Sequence, residues 1–274
     1  LRNRTMRRTM LATLLCSTAA LAPSSSSSHV RPLPRSLRQP LRVRGGAGAA
    51  MSAGVVERVV CPALGFVLSS ALYYSPVPAL RSCLEKQSLG QFNPIPSATM
   101  VIGTTAWLGY GLSVKDPWIA ATNLPGTLVA IAQMVVMLPL MKPGRQLSQV
   151  QAIILGGATA TTALWARLIF GGVSAAARSR ALGIYATIIC IALFASPLTT
   201  IASVVRNRNA ASILAPLTAS QVANCVLWTT YGVFAAKDPF VWGPNGVGLV
   251  LGLVQLACKL AFPSVDEEGA AASS

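Results

Sequence analysis

Charge is scarce in this sequence: 11% of its residues are Asp, Glu, Lys or Arg, while 53% are hydrophobic. An average soluble domain carries about a quarter charged residues, which argues against a soluble globule. Histidine is almost missing, since His29 is the sole example in the chain. No close carboxylate pair falls in any long apolar run, so general acid-base catalysis, a Ser/His triad and an intramembrane aspartyl protease all lack parts. Cysteine is present but unpaired in pattern: Cys16, Cys61, Cys83, Cys190, Cys225 and Cys258 form no CxxC. Neither a zinc site nor a redox motif is indicated, and the thiols read as small apolar packing residues. A non-enzyme without metal or cofactor is expected.

What is there is length and apolarity. Several stretches reach the roughly 20 residues that cross about 30 Å of hydrocarbon as a helix, and their unalternating character fits helices, not barrel strands. Apolar runs between turn and charge signals give seven spans, at about 55–75, 95–113, 118–140, 150–172, 181–204, 213–235 and 240–262. The net charge of +15 is uneven, with nine of the 22 basic residues before position 50 and no acidic residue among them. The remainder carries 13 basic against 7 acidic residues, ordinary for helices flanked by Lys and Arg. No folded basic patch or aromatic platform accompanies the arginines, so nucleic acid is not an expected partner.

The first 50 residues read as a targeting leader. Met6-Arg7-Arg8, the short apolar run MLATLLCSTAALA and small residues near Ala20-Leu21-Ala22 form a signal-type n-region, h-region and cleavage site. A Ser run from Ser24 to Ser28 and an Arg-rich, acid-free stretch follow, which is transit-peptide chemistry. The tandem is similar to bipartite leaders of algal plastids bounded by an extra membrane, so a plastid membrane is expected, with plasma membrane or endomembrane as the alternative.

Internal similarity is the strongest signal. Tyr74-Ser75-Pro76-Val77-Pro78 is echoed by Ala195-Ser196-Pro197-Leu198-Thr199, and Trp107-Leu108-Gly109-Tyr110-Gly111 by Trp228-Thr229-Thr230-Tyr231-Gly232. Lys115-Asp116-Pro117 recurs as Lys237-Asp238-Pro239, Asn123 as Asn245 and Gln133 as Gln255, always 121 or 122 residues on. Spans 1–3 and 5–7 are therefore copies, and the unmatched span 4 makes them parallel. The expected fold is an all-α membrane protein whose seven transmembrane helices form two parallel three-helix bundles joined by a linker helix (3+1+3). Its segments are the leader at 1–50, the first repeat at 51–142, the linker helix at 143–180, the second repeat at 181–263 and a polar tail at 264–274. Parallel repeats place a pseudo-twofold axis along the membrane normal and a site between the halves near the midplane. Loops 1–2, 3–4 and 5–6 hold six basic residues against four in the others, favouring a cytosolic location for the first set.

The ordered, duplicated set of SPVP at the end of span 1, WxxYG in span 2 and Asn in span 3 resembles the SWEET sugar facilitators over about residues 60–262. The resemblance implies a sugar-binding layer and a proline gate. Asp116 and Asp238 precede proline as N-caps, so each KDP marks a loop level. Trp107 lies 8 residues and Trp228 lies 9 residues before its Lys, and Asn123 and Asn245 each lie 8 after. At 1.5 Å per residue all four reach roughly 12 Å below that surface, near the middle of the membrane. Indoles pack on the apolar C–H faces of a pyranose, and carboxamides serve its hydroxyl rim. Trp107, Asn123, Trp228 and Asn245 are thus the candidate substrate-binding residues. Pro76, Pro96, Pro197 and Pro216 match the family's proline tetrad and are the candidate gate and hinge residues, near the opposite, cytosolic face.

Tyr110 and Tyr231, nearer the loop, read as interfacial belt residues. Gly248 and Gly252 form a GxxxG that packs closely against either the other half or a second protomer, leaving a homo-oligomer open. With no carboxylate or His placed to relay protons, passive bidirectional uniport of a mono- or disaccharide is expected. Two alternatives stand at this point: transport of another polar solute such as an amino acid, and a seven-helix receptor or sorting protein. Against the first, Val77 and Leu198 follow the key prolines where PQ-loop relatives carry Gln.

Overall fold

The computed structural model describes residues 52–264, and the compact unit considered below begins at Gly54. The leader expected at 1–50 and all of the 264–274 tail beyond Ser264 lie outside the described residues. A short helix, Ala53–Val55, and a π-turn, Val56–Val60, lead into α1 (Cys61–Tyr74), which breaks before α2 (Val77–Lys86). Then come α3 (Ile95–Val114), α4 (Pro117–Met137), α5 (Arg145–Phe170), α6 (Ala175–Leu193), α7 (Ala195–Asn207), α8 (Ala215–Thr230) with a π-turn at Tyr231–Ala235, and α9 (Pro239–Ala261). The fold is all-α, and α1–α2 and α6–α7 each make one broken span. Helix α6 starts at Ala175, within the segment assigned to the linker, because Ser174 caps it by accepting from the Ala177 amide.

By length and apolarity, five of the described helical stretches are able to cross a membrane: 53–86, 117–140, 145–170, 175–207 and 239–261. Helices α3 and α8 are the two expected spans outside that set. They carry Ser97, Thr99, Thr104 and Thr105, and Thr218, Ser220, Gln221, Asn224 and Thr229 respectively, and most of these hydroxyls bond to carbonyls of their own helix. Lower apolarity is what lining a polar cavity requires.

Six of the seven spans close a ring in the order α1, α4, α3, α6, α9, α8 and back to α1. Exchanging the repeats reproduces the same ring, as a twofold axis through its centre demands. Helix α5 sits outside the ring against α3, its surface largely exposed. Its Arg167 donates to the Gly171 carbonyl at its own C-terminus, where a cation complements the helix dipole.

The KDP turns show how the sequence writes this geometry. Lys115 and Lys237 take the left-handed conformation, with φ of 60° and 53°, and end α3 and the α8 path. The next residue, Asp116 or Asp238, caps the following helix by accepting from Trp118 and Ile119 amides, or from that of Phe240. Proline then occupies the first helical position, where no amide is needed. The Asp116 amide reaches back to the Gly111 carbonyl, a Schellman closure. Asp238 does the same to Gly232, one residue further, and the π-turn Tyr231–Ala235 absorbs that extra residue. This turn is where the repeat offset changes from 121 to 122.

The glycines of WxxYG allow the crossing. A Cβ on Gly111 would lie 2.7 Å from the Ala120 backbone nitrogen, and one on Gly232 would lie 2.7 Å from that of Trp242. The GxxxG face meets neither of its two expected partners, the other half or a second protomer: a Cβ on Gly248 would meet Cys225 Sγ at 3.0 Å, and one on Gly252 would meet Val222 at 2.6 Å, both on α8 of the same repeat. That face packs α9 on α8 inside one chain.

Candidate functional site

All four residues of the expected layer line one cavity of about 130 Å³ at the centre of the ring. Such a space holds several waters, hence a small polar solute. Trp107 comes from α3, Trp228 from α8, Asn123 from α4 and Asn245 from α9, so each repeat contributes one indole and one carboxamide. Each amide is anchored identically, Asn123 Nδ2 donating to the Ile119 carbonyl and Asn245 Nδ2 to that of Val241, both at 2.8 Å. Both asparagines, so anchored, line the cavity. Pro125 and Pro244 interrupt the ladders of α4 and α9 within two residues of these asparagines, a feature the sequence reading did not single out.

The remaining wall comprises Ser69, Tyr73, Ile119, Thr122, Cys190, Asn224 and Val241. Ser69 and Cys190 are repeat partners, each seven residues before a key proline, and extending the repeat upstream would have located them. Asn224 lies one turn before Trp228, on the same helix face. These side chains break the symmetry. Trp228 Nε1 donates to Ser69 Oγ at 3.2 Å, and Ser69 in turn donates to Asn224 Oδ1 at 3.0 Å. In the other repeat Cys190 and Gly103 stand where Ser69 and Asn224 are, and Trp107 has no such relay. Tyr73 OH reaches Asn123 Oδ1 at 3.5 Å, while its repeat partner is Phe194.

Tyr110 and Tyr231 are not belt residues. They are buried, at 3% and 7% exposure, and each props its own Trp edge-on with ring centroids 5.8 Å apart. Tyr110 OH donates to Asp238 Oδ2 at 2.5 Å and Tyr231 OH to Asp116 Oδ2 at 2.6 Å. Each bond joins one repeat to the N-cap of the other. The expectation failed because depth alone does not reveal which way a tyrosine faces. An apolar cluster drawn from both repeats, including Tyr110, Ile119, Trp228, Tyr231 and Val241, completes closure on the KDP side.

The four prolines fall into two classes. Pro76 is the N-cap residue of α2 and Pro197 the third residue of α7, so both sit at breaks in long spans. The carbonyl of Leu72, four residues before Pro76, instead accepts the Ser75 hydroxyl at 2.8 Å and the Ser75 amide at 3.2 Å. Pro96 and Pro216 are the second residues of α3 and α8, where the missing amide costs nothing, and both are exposed. Only the first pair interrupts a span. Ser69, Tyr73 and Cys190, each three to seven residues before Pro76 or Pro197, line the cavity on the side away from the Tyr–Asp bonds.

Comparison with known proteins bears on the family and the fold. The profile of the family described as "Sugar efflux transporter for intercellular exchange" (MtN3_slv) matches residues 60–143 and 180–266. Bidirectional sugar transporter SWEET11 of Arabidopsis thaliana is 29% identical, across 73% of this chain and 68% of its own. Bidirectional sugar transporter SWEET7 of the same plant is 26% identical, over 75% and 80%. A solved eukaryotic SWEET transporter superposes with a TM-score of 0.66 at 23% identity, covering 73% of this chain and 94% of that one.

Proposed function

The chain belongs to the MtN3_slv family of sugar efflux transporters for intercellular exchange, and from that premise we propose that it carries sugars passively and in both directions across a membrane. It is a carrier and not an enzyme in this reading. The observation that carries the proposal is the convergence of two indoles and two identically anchored carboxamides on one central cavity. A sugar ring packs between Trp107 and Trp228, and its hydroxyls exchange water for the Asn123 and Asn245 amides. Exchanged hydrogen bonds contribute only about 1 kcal/mol each, so the sugar is held weakly and leaves readily. The uncharged wall favours uniport over proton coupling.

Alternating access follows from two gates at opposite depths. The Tyr110–Asp238 and Tyr231–Asp116 bonds form one gate. Pro76, Pro96, Pro197 and Pro216 form the other: Pro76 and Pro197 are pivots, and Pro96 and Pro216 mark the helix starts that approach when that face closes. Asn123→Ala or Asn245→Ala should abolish sugar uptake by transport-deficient cells while the protein still reaches the membrane. Unchanged uptake would remove these residues from the site.

The finer location proposed is a plastid membrane, on the strength of the bipartite leader. A fluorescent fusion of residues 1–50 tests it, and diffuse cytosolic signal would refute it.

A further inference from the structure

Among the described residues of the first repeat, Gln133 is the one wholly buried large polar side chain that the sugar site does not use. It has no exposed surface and projects from α4. Its Nε2 donates to the Tyr73 carbonyl at 2.9 Å, and its Oε1 accepts from Ser97 Oγ at 2.9 Å. Tyr73 lies just before the break at Pro76, and Ser97 is the residue after Pro96. One carboxamide therefore holds the cavity side of the α1–α2 pivot to the start of α3.

The second repeat has the same residue without the same bonds. Gln255 is only half-buried. The Phe194 carbonyl, repeat partner of that of Tyr73, accepts the Leu198 amide of its own helix at 3.1 Å. Thr218, partner of Ser97, bonds back to the Leu214 carbonyl at 3.2 Å. Equivalent positions are thus satisfied within single helices in one repeat and across three helices in the other.

We infer that Gln133 is a hinge clamp: a positioning residue that stabilises the state open toward the prolines by tying the first pivot, so that the two repeats do not open equivalently. The inference rests on the alternating-access reading above. A planar amide bonded on both sides at 2.9 Å tolerates a relative shift of only a few tenths of an ångström at each bond. The end of α1 and the start of α3 cannot shift relative to each other, as closing the proline face requires, without losing one bond. Helix α7, which has no clamp at its pivot, is free to move without that loss.

Cys190 gives a readout independent of sugar. It lines the cavity and is half-buried, whereas the other described cysteines are buried. In proteoliposomes of defined orientation, a membrane-impermeant maleimide is added to one face at a time, without sugar, and modification of Cys190 is followed by peptide mass spectrometry. In Gln133→Met the ratio of proline-face to KDP-face labelling should fall roughly 25-fold, as expected for two lost hydrogen bonds. Ser97→Ala should shift it the same way by less, and Gln255→Met should leave it unchanged. An unmoved ratio in Gln133→Met, or an equal shift in Gln255→Met, overturns the clamp. If Gln133→Met fails to reach the membrane, Ser97→Ala decides alone, with a shift supporting and no shift overturning. Because no sugar is present, this result stands or falls separately from uptake by the Asn123 and Asn245 variants.

Discussion

The two repeats agree at the KDP face and differ at the cavity and the pivots. At the KDP face every device occurs twice: a left-handed Lys, a capping Asp, an initiating Pro, a buried Tyr on the opposite Asp, and a Gly against backbone. At the cavity, Ser69 and Asn224 fix Trp228, whereas Cys190 and Gly103 leave Trp107 without a relay. At the pivots, Gln133 ties one break and Gln255 does not tie the other. The lesson is that identical parts suffice to hold the halves together, while the wall of the central cavity has lost the twofold symmetry of the fold, as the proposed binding of an asymmetric sugar ring would favour.

The largest effects should come from breaking what the repeats share. Gly111→Ala and Gly232→Ala each place a methyl 2.7 Å from a backbone nitrogen, which cannot rotate away. Each should lose about 3 kcal/mol or more of stability, read as a lower unfolding temperature in detergent, and to a similar extent. A mild effect in one alone would show that the crossings are not equivalent.

Removing one gate hydroxyl comes next. Tyr110→Phe and Tyr231→Phe each delete a bond to a carboxylate, worth about 1.5–3 kcal/mol, without altering the ring that supports the Trp. Labelling of Cys190 from the KDP face should rise roughly tenfold or more in both. A response confined to one variant would break the equivalence of the two gate bonds.

The smallest effect sharpens the difference. Ser69→Ala frees the Trp228 indole and should raise the KM for sugar about fivefold, as expected for one net hydrogen bond. Cys190→Ala, at the matching position without a relay, should change it less than about twofold. Equal changes in sugar-exchange kinetics would mean that the relay does not position Trp228.

Much of this was legible because it is local. Apolar runs marked the spans, and the capping Asp before proline placed the starts of α4 and α9. The constant offset identified the repeats, and counting residues from each KDP put Trp107, Asn123, Trp228 and Asn245 at one depth. Even the change of offset from 121 to 122 was visible, although only the backbone showed a π-turn absorbing it. Reading depth without rotation misplaced Tyr110 and Tyr231 at the lipid interface, and it treated Pro96 like Pro76 although one starts a helix and the other sits at a break.

Sequence by itself determined an all-helical membrane chain, its duplication and the residues of the central layer, since hydropathy, capping and register act over a few residues or repeat along the chain. Tertiary structure alone decided the order of helices in the ring, the partner of the GxxxG face, the cross-repeat Tyr–Asp bonds and the Gln133 bridge. Those depend on how each helix is turned about its axis and which neighbour it meets, and side chains up to 159 positions apart, as in Ser69 and Trp228, carry no mutual signal in a single sequence.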